Sequence, residues 1–242
     1  MKFTGVSEID ILIHMVNTVG SCESKYWNIS WRSFKKGMSL TPLQRSFIIG
    51  SMLGDGTMRI GKGAINANFK VDHCLAQQEY VRWKYEILKD FVPTEPRLSY
   101  RTTKDGVRYK KSWWFRTIRH PILTEIYREF YTTDTYRCGR KIVPENIVDL
   151  LDPLAIAVWI MDDGSYNKDK IDISTYSFTL REIEILKEAM HKKFCIKMSY
   201  YNDRDIGYRM YCSKSETQKL VNLIYPYIVS SMRYKIGLSL TP

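Results

Sequence analysis

An apolar helix that ends in Asp-Gly occurs twice in this sequence, and this duplication constrains the fold more than any other feature. The two copies span residues 40–56 and 151–164. Each begins with a capping side chain followed by proline, Thr41-Pro42 in one and Asp152-Pro153 in the other, which is typical of a first helical turn. Each ends in a glycine, which favours the position just beyond a helix. The pattern predicts two equivalent helices at the centre of a duplicated fold.

The segments that follow the two helices repeat one order of elements. After the first come a strand at 66–71, a helix at 75–91, a hairpin at 97–119 and a closing helix at 121–131. After the second come a strand at 171–177, a helix at 179–194, two strands flanking a turn at 202–207, and a closing helix at 215–225. The sequence therefore predicts an α+β fold with the order αββαββα twice. We assign residues 1–39 to an N-terminal arm without a defined role, 40–145 to the first repeat and 146–242 to the second.

The chain is strongly basic, with a formal net charge of +11 at pH 7. Such an excess indicates a polyanionic partner, either nucleic acid or an anionic membrane surface. No apolar run reaches the roughly 18–20 residues that a spanning helix needs, so an integral membrane protein is disfavoured. Five cysteines without metal-ligand spacing predict a reducing intracellular compartment, which is either an organelle (mitochondrion or chloroplast) or the bacterial cytoplasm.

Small residues in both helices allow their backbones to approach each other closely. Gly50 and Gly54 leave one face of the first helix almost without side chains. Ala155 and Ala157 are the small residues of the second helix, although not at identical positions. Two helices packed in this way bring Asp55 and Asp163 together. Adjacent carboxylates repel each other unless cations lie between them, and hard oxygen ligands select magnesium or calcium. The pattern predicts a divalent-metal site that can support phosphodiester cleavage.

Residues 48–56 resemble the nine-residue LAGLIDADG motif, and residues 156–164 resemble a second copy. Within the second copy, Trp-Ile-Met-Asp-Asp-Gly at 159–164 is similar to the motif of the intron-encoded, two-repeat branch. Over residues 40–240 the chain thus resembles single-chain LAGLIDADG homing endonucleases. The resemblance implies a monomer with two four-stranded antiparallel sheets that form saddles in the major groove, and a central two-helix interface. It also implies hydrolysis across the minor groove that leaves short 3′ overhangs.

The resemblance implies roles for particular motif residues. The eighth residue of each copy is the metal ligand, here Asp55 and Asp163, and the backbone carbonyls of Gly54 and Asp162 add coordination. The expected ion is Mg²⁺, for which Mn²⁺ or Ca²⁺ can substitute. The Asp162 side chain has no counterpart at Gly54 and is expected to be structural. Val158 replaces the motif glycine, which predicts an asymmetric helix contact.

A lysine follows each closing helix at an equivalent place, Lys141 in the first repeat and Lys235 in the second. In similar endonucleases this position carries the basic residue beside each scissile phosphate, so both lysines are expected to be catalytic. Either could stabilise developing negative charge or polarise the attacking water. The polar residues after the first motif are further candidates for orienting water: Asn66, Asn68, His73 and Gln77.

The hairpin at 97–119 carries eight basic residues and one acid, Asp105, around an Asp-Gly turn. A two-stranded ribbon fits the major groove, where arginine and lysine reach guanine and phosphate. One strand face is expected to hold Arg108, Lys110, Ser112, Trp114 and Arg116, and the predicted DNA contacts of this repeat also include Arg97, Arg101 and Lys104. In the second repeat the predicted contacts are Lys197, Ser199, Tyr201, Arg209, Tyr211 and Ser213.

These features favour a magnesium-dependent endonuclease that cuts long double-stranded DNA at a specific site. The main alternative is a non-cleaving relative, such as an intron maturase that binds intron RNA through the same scaffold. Both motif aspartates are retained, which favours nuclease chemistry without excluding a second role in splicing. A transcription factor that has lost catalysis and a membrane-surface protein are weaker alternatives.

Overall fold

The first repeat contains the expected helices and a four-stranded sheet. The computed structural model describes residues 37–132, 139–204 and 206–238, so all but the last three residues of the expected N-terminal arm lie outside the described residues. The elements are α1 (Pro42–Leu53), β1 (Thr57–Arg59), β2 (Asn68–Cys74), α2 (Gln78–Leu88), β3 (Arg97–Thr102), β4 (Arg108–Arg116) and α3 (Pro121–Phe130). Short 3₁₀ turns at Leu75–Gln77 and Lys89–Phe91 flank α2.

The second repeat has the same order after one additional turn of helix. Its elements are α4 (Ile147–Leu150), α5 (Pro153–Asp163), β5 (Gly164–Asn167), β6 (Lys170–Ser174), α6 (Leu180–Phe194), β7 (Met198–Asn202), β8 (Tyr208–Cys212) and α7 (Lys214–Ile224). Two 3₁₀ segments follow, Tyr225–Tyr227 and Ser230–Ile236. The helix α6 begins at the expected capping box, in which Thr179 and Glu182 cap each other's backbone.

The two sheets have equivalent topology, which confirms the duplicated α+β fold. Their strand orders are β1-β2-β4-β3 and β5-β6-β8-β7, with antiparallel neighbours throughout. Strands β1 and β5 belong to the predicted order αββαββα, but no residues were assigned to them from the sequence. They are three and four residues long, too short for a period of two to be recognised, and their pairing with the next strand defines them instead.

A β-bulge changes the expected faces of the basic hairpin. Ser99 pairs with Ser112, but the next pair along the ladder joins Tyr100 to Lys110, so Lys111 is the extra residue. Because side chains alternate along a strand, this insertion reverses the faces beyond it. The prediction that all five alternate residues of 108–116 share one face is therefore wrong. Arg108 and Lys110 lie on the face opposite to Ser112, Trp114 and Arg116.

The helices α1 and α5, called the motif helices below, pack against each other at the centre of the molecule. A Cβ added to Gly50 would lie 2.9 Å from the Cα of Ala155 and would overlap its carbonyl oxygen. The small residues are therefore required for the contact, as predicted. Val158 in α5 is fully buried. Within the described part of the chain, no helix has both the length and the apolar character needed to cross a membrane.

Candidate functional site

The motif helices end side by side and form an acidic centre. The helix α1 ends two residues before Asp55, whereas Asp163 is the last residue of α5. The helix ends nearly touch, because a Cβ on Gly54 would lie 2.5 Å from the Cβ of Asp162. Burial, together with the charges of Asp55 and Asp162, raises the pKa of Asp163 to about 7. Burial and the Asp162 charge also raise the pKa of Asp55.

Two lysines bind the ends of the motif helices with matching geometry. The Nζ of Lys141 donates to the carbonyl oxygens of Gly54 and Gly56, at 2.7 and 2.8 Å. In the other half, the Nζ of Lys235 donates to the carbonyl oxygens of Asp162 and Gly164, at 3.3 and 2.7 Å. The four carbonyls occupy equivalent positions around Asp55 and Asp163. The structure thus brings all four predicted catalytic residues into one site.

Backbone pairing and an ion pair between the repeats position Lys141. Its segment forms an antiparallel bridge with Tyr131 just after α3. The adjacent Arg140 donates through both terminal nitrogens to the two carboxylate oxygens of Glu182, at 2.9 and 3.0 Å. Such a bidentate contact fixes the direction of the chain. Because Glu182 lies in the first turn of α6, the second repeat anchors the lysine that serves the first motif.

The side chain of Asp162 belongs to a buried network behind the acidic centre. Its Oδ1 accepts hydrogen bonds from Lys84 at 2.6 Å and from Tyr80 at 2.8 Å. Its Oδ2 accepts from the backbone N–H of Asp55 at 3.2 Å. Both the Lys84 and the Asp162 side chains are fully buried. These contacts agree with the structural role expected for Asp162.

Lys84 was not among the residues predicted from the sequence, although the sequence carries a signal for it. Lys84 lies one helical turn from Tyr80 and from Leu88, and both of those residues face the core. A lysine on the apolar face of a helix requires a buried acid to compensate its charge. That rule would have identified Lys84 as half of a pair, but not its partner, which lies 78 residues away.

Of the proposed water-orienting residues, His73 comes closest to the acidic centre. Its Nδ1 lies 3.5 Å from Oδ2 of Asp55, and its side chain is almost fully buried. Burial and the charge of Lys84 lower the pKa of His73 to about 4, so the imidazole is neutral at physiological pH. Asn66 and Gln77 instead contact Thr124 and Tyr234.

The donor atoms of the acidic centre fit a hard divalent cation. Carboxylates and backbone carbonyls are the ligands preferred by magnesium, manganese and calcium. The Asp55 side chain is about half exposed, at 47%, and its carboxylate is accessible. Asp55, His73 and Asp162 each offer one ligand atom, and these three atoms lie within 4.8 Å of one another. However, the Asp162 carboxylate already pairs with Lys84, which neutralises its charge. A carbonyl oxygen has two lone pairs, so the lysine contacts leave each carbonyl a second acceptor site.

The exposed face of the first sheet carries much of the predicted nucleic-acid surface. Arg116 is exposed, and Trp114 beside it is partly buried, with the Nζ of Lys70 5.6 Å from its ring centre. Ser112 is only 4% exposed, and its hydroxyl lies 2.5 Å from that of Ser99. Beyond the bulge, Arg108 stacks at 4.2 Å on Tyr100. The other predicted contacts of this repeat are exposed: Arg97, Arg101, Lys104 and Lys110.

The second sheet presents four of its six predicted contacts on one face, as expected. Strand pairing places Ser199 opposite Tyr211 and Tyr201 opposite Arg209. The rings of Tyr201 and Tyr211 lie 5.9 Å apart. Tyr201 is paired with Arg209 across the two strands, and Tyr211 is the next residue on the same face of the Arg209 strand. The remaining two predicted contacts are exposed and lie just outside the strands: Lys197 and Ser213. Ser213 also caps α7.

Comparison with known proteins places the chain in a family. The model of the LAGLIDADG DNA endonuclease family matches residues 45–220. The DNA endonuclease I-ChuI of Chlamydomonas applanata is 32% identical over 214 residues, which cover 83% of this chain and 97% of that protein. A cytochrome b mRNA maturase, bI2, of Debaryomyces hansenii is 29% identical over 209 residues, which cover 85% of this chain and 77% of that protein. The chain therefore belongs to the LAGLIDADG DNA endonuclease family.

A solved structure supports the fold assignment over nearly the whole chain. The homing endonuclease I-WcaI, bound to its DNA recognition sequence, superimposes with a TM-score of 0.77 and 22% sequence identity. The match covers 94% of this chain and 99% of that structure. It confirms that the two antiparallel sheets and their central helix pair form the LAGLIDADG fold.

Proposed function

We propose that this chain is a homing endonuclease that cuts both strands of a long DNA site and requires a divalent metal ion. The observation that carries the proposal is the paired centre at the ends of the motif helices. Asp55 and Asp163 meet there, and Lys141 and Lys235 contact equivalent carbonyls on either side. Two equivalent half-sites on one chain are suited to two scissile phosphates, so a monomer is sufficient.

The expected metal ligands are the carboxylates of Asp55 and Asp163, with the carbonyl oxygens of Gly54 and Asp162. A bound magnesium ion would supply Lewis-acid stabilisation of the reacting phosphodiester and lower the pKa of water at the site. Manganese or calcium has compatible ligand preferences. Because the pKa of Asp163 is about 7 in the metal-free chain, a proton on this carboxyl competes with the metal at neutral and lower pH.

The lysines act on the charge that develops at the phosphates. An ammonium group held at each half-site can donate to a phosphate oxygen or polarise the attacking water. Burial lowers the pKa of Lys141, which favours proton exchange compared with an exposed lysine. Neutral His73, 3.5 Å from Asp55, can accept a proton or hold the carboxylate in place.

The two sheets supply separate surfaces for the two halves of a long duplex. Each exposes one face beside the motif helices, and the first hairpin concentrates positive charge, with eight basic residues between positions 97 and 119. Contacts between basic side chains and phosphates would supply affinity, while those to base edges would supply specificity. The active site lies between the sheets, so we propose cleavage across the minor groove with 3′ overhangs.

A second role in splicing is the alternative function. The relative from Debaryomyces hansenii is named an mRNA maturase, and a basic surface of this kind also suits RNA. The two activities are compatible, because RNA binding does not need the acidic centre. Cleavage requires Asp55 and Asp163, whereas RNA binding should persist without them.

The test is cleavage of DNA that joins the two exons flanking the gene. With magnesium, the wild-type chain should give one double-strand break, and chelation should abolish it. Asp55→Asn and Asp163→Asn should each remove the break but preserve binding of the same DNA in calcium. An uncut junction would refute the endonuclease proposal, and full activity of either variant would refute the metal site.

A further inference from the structure

The buried ion pair between Lys84 and Asp162 breaks the symmetry of the two repeats. Lys84 is the seventh residue after the N-cap of α2, and the seventh residue after the N-cap of α6 is the buried Leu186. Asp162 precedes the second motif aspartate, whereas the residue before Asp55 is a glycine. Both charged residues therefore occupy positions where the opposite repeat has an uncharged one.

The ion pair supports a backbone N–H that has a side-chain acceptor in only one half of the site. The helix α1 ends early: the N–H of Gly54 donates to Gly50 O at 3.2 Å, and that of Gly56 to Ser51 O at 2.7 Å. Between them, the N–H of Asp55 donates to Oδ2 of Asp162 at 3.2 Å. Gly56 thus occupies the Ser51 carbonyl that a continuous helix would offer to the Asp55 N–H. A buried N–H without an acceptor is costly, so a side chain supplies one.

The other motif helix needs no such support. The helix α5 extends to Asp163, and the N–H of its C-cap Gly164 bonds to Ile160 O within the same helix. Asp163 is thus positioned by a continuous helix, whereas Asp55 lies in the turn beyond one. The difference matters because small displacements of a catalytic group slow a reaction strongly.

Lys84 and Tyr80 hold the supporting carboxylate in one orientation. Both donate to Oδ1, at 2.6 and 2.8 Å, which leaves Oδ2 directed at the Asp55 N–H. No solvent reaches the side chains of Lys84 and Asp162. A carboxylate with three donors in a buried site has little freedom to reorient.

We propose that the side chains of Lys84 and Asp162 position the backbone of Asp55 and not that of Asp163, so that the two DNA strands depend unequally on them. The proposal rests on the endonuclease function proposed above. Neither side chain is exposed to a substrate; both act through the backbone of Asp55, whereas the carbonyl of Asp162 remains a proposed metal ligand. We therefore expect that substitutions of this buried ion pair slow cleavage of one DNA strand much more than cleavage of the other.

The test variant combines Lys84→Leu with Asp162→Gly, which gives each position the residue of the opposite repeat. Removing both charges together avoids an unpaired buried charge. In metal-free protein, amide hydrogen exchange at Asp55 should become at least about tenfold faster, while exchange at Asp163 should change less than about twofold. If this variant does not fold, Lys84→Met with Asp162→Leu removes the same charges and acceptor at nearly constant volume, with the same expectations.

Strand-resolved cleavage provides the second measurement. A duplex labelled on either strand gives separate rates, and the strand slowed by Lys141→Met identifies the half-site at Asp55. The double variant should slow that strand at least about tenfold and the other strand less than about threefold. A merely structural role would slow both strands alike or lower only the unfolding temperature.

The matched control is Arg181→Met with Glu145→Gln, which removes an exposed ion pair outside the acidic centre. This control should leave both amides and both strand rates unchanged. Equal slowing of the two strands, or unchanged exchange at Asp55, would overturn the proposal. If the wild-type chain cuts neither strand, the proposed function itself fails, and the amide exchange of Asp55 still decides whether the ion pair positions it.

Discussion

Gly50 of the first motif helix lies directly against the backbone of Ala155 in the second, with no room for a side chain between them. The contact lies roughly one helical turn before the Gly54 end of α1, so it controls how closely the acidic ends approach. The position of Asp55 relative to Asp163 therefore depends on a contact between two residues that lie outside the proposed metal site.

Gly50→Ala should disable the protein, because the added methyl group would overlap the Ala155 carbonyl. We expect a loss of roughly 1–3 kcal/mol of stability from overpacking. Cleavage should fall by about two orders of magnitude as the aspartates separate. Denaturant unfolding and cleavage rates measure the two effects.

Gly61→Ala is the matched control for this substitution. A Cβ at Gly61 meets only the far end of the Arg119 side chain, at 2.9 Å, which can move away. Stability and cleavage should therefore stay close to wild type. If Gly50→Ala behaved like this control, the motif helices would not be held in the close contact described above.

Lys141→Met and Lys235→Met should each slow cleavage of one strand by about 10²–10³-fold, the usual effect of losing one group that stabilises transition-state charge. DNA affinity in calcium should change little, since each lysine contacts helix-end carbonyls rather than the exposed sheet faces. Plasmid nicking assays and binding titrations separate the two effects. Lys192→Met, on the exposed side of α6, should leave both unchanged; equal loss of affinity in all three variants would argue against catalytic lysines.

Much of the fold was predictable because its signals are local or duplicated. The capping box at Thr179 and the proline after Asp152 define helix starts within four residues of sequence. The two Asp-Gly helix ends are recognisable because the same pattern of cap, proline, apolar helix and Asp-Gly occurs twice. The equivalent placement of Lys141 and Lys235 also followed from the repeat, without any knowledge of three-dimensional contacts.

The features that were missed depend on distant pairing. Lys84 finds Asp162 across 78 residues, and neither side chain reveals its partner in the sequence. The bulge at Lys111 depends on how the strand pairs with Ser99 and Tyr100, since alternation within one strand cannot reveal an inserted residue. Strand β1 is defined by its partner rather than by its own three residues.

Because of the bulge, two arginines of the basic hairpin should differ in their effect on DNA binding. Arg101 pairs with Tyr109 on the face that also carries Trp114, whereas Arg108 stacks on Tyr100 on the opposite face. We expect Arg101→Ala to weaken DNA binding and to reduce the slope of log K against log salt by about 0.9, the value for one lost phosphate contact. Arg108→Ala should change the slope less. Binding titrations over a range of salt concentrations measure both slopes.

A larger slope change for Arg108 than for Arg101 would mean that the DNA lies on the other face of the hairpin. Lys192→Ala, on the outer side of α6, controls for a general loss of positive charge and should leave the slope unchanged. The comparison is therefore independent of whether the chain cleaves the DNA that it binds.

Asp163→Asn should stabilise the metal-free protein, increasingly so as the pH rises from about 4 to 7. The pKa of Asp163 is about 7 in the folded chain against a usual 3.8, so the folded state retains a proton that the unfolded state has lost. Raising the pH through this window therefore destabilises the wild type, by at most roughly 4 kcal/mol for a shift of this size. Asparagine removes this cost. Denaturant unfolding in the presence of chelator at several pH values measures the difference between variant and wild type.

Comparing the variant with wild type also removes the opposing contribution of His73. The pKa of that imidazole is lowered to about 4, so its contribution to stability is lost as the pH falls from about 6.5 to 4, in both proteins alike. Asp169→Asn is a control with the opposite expected effect on stability. Hydrogen bonds from Lys214 and Tyr166 lower the pKa of Asp169, so replacing its carboxylate should destabilise the protein at neutral pH. If the stability gain of Asp163→Asn were the same at pH 4 and pH 7, Asp163 would not carry the extra proton, and competition between that proton and the metal would have to be abandoned.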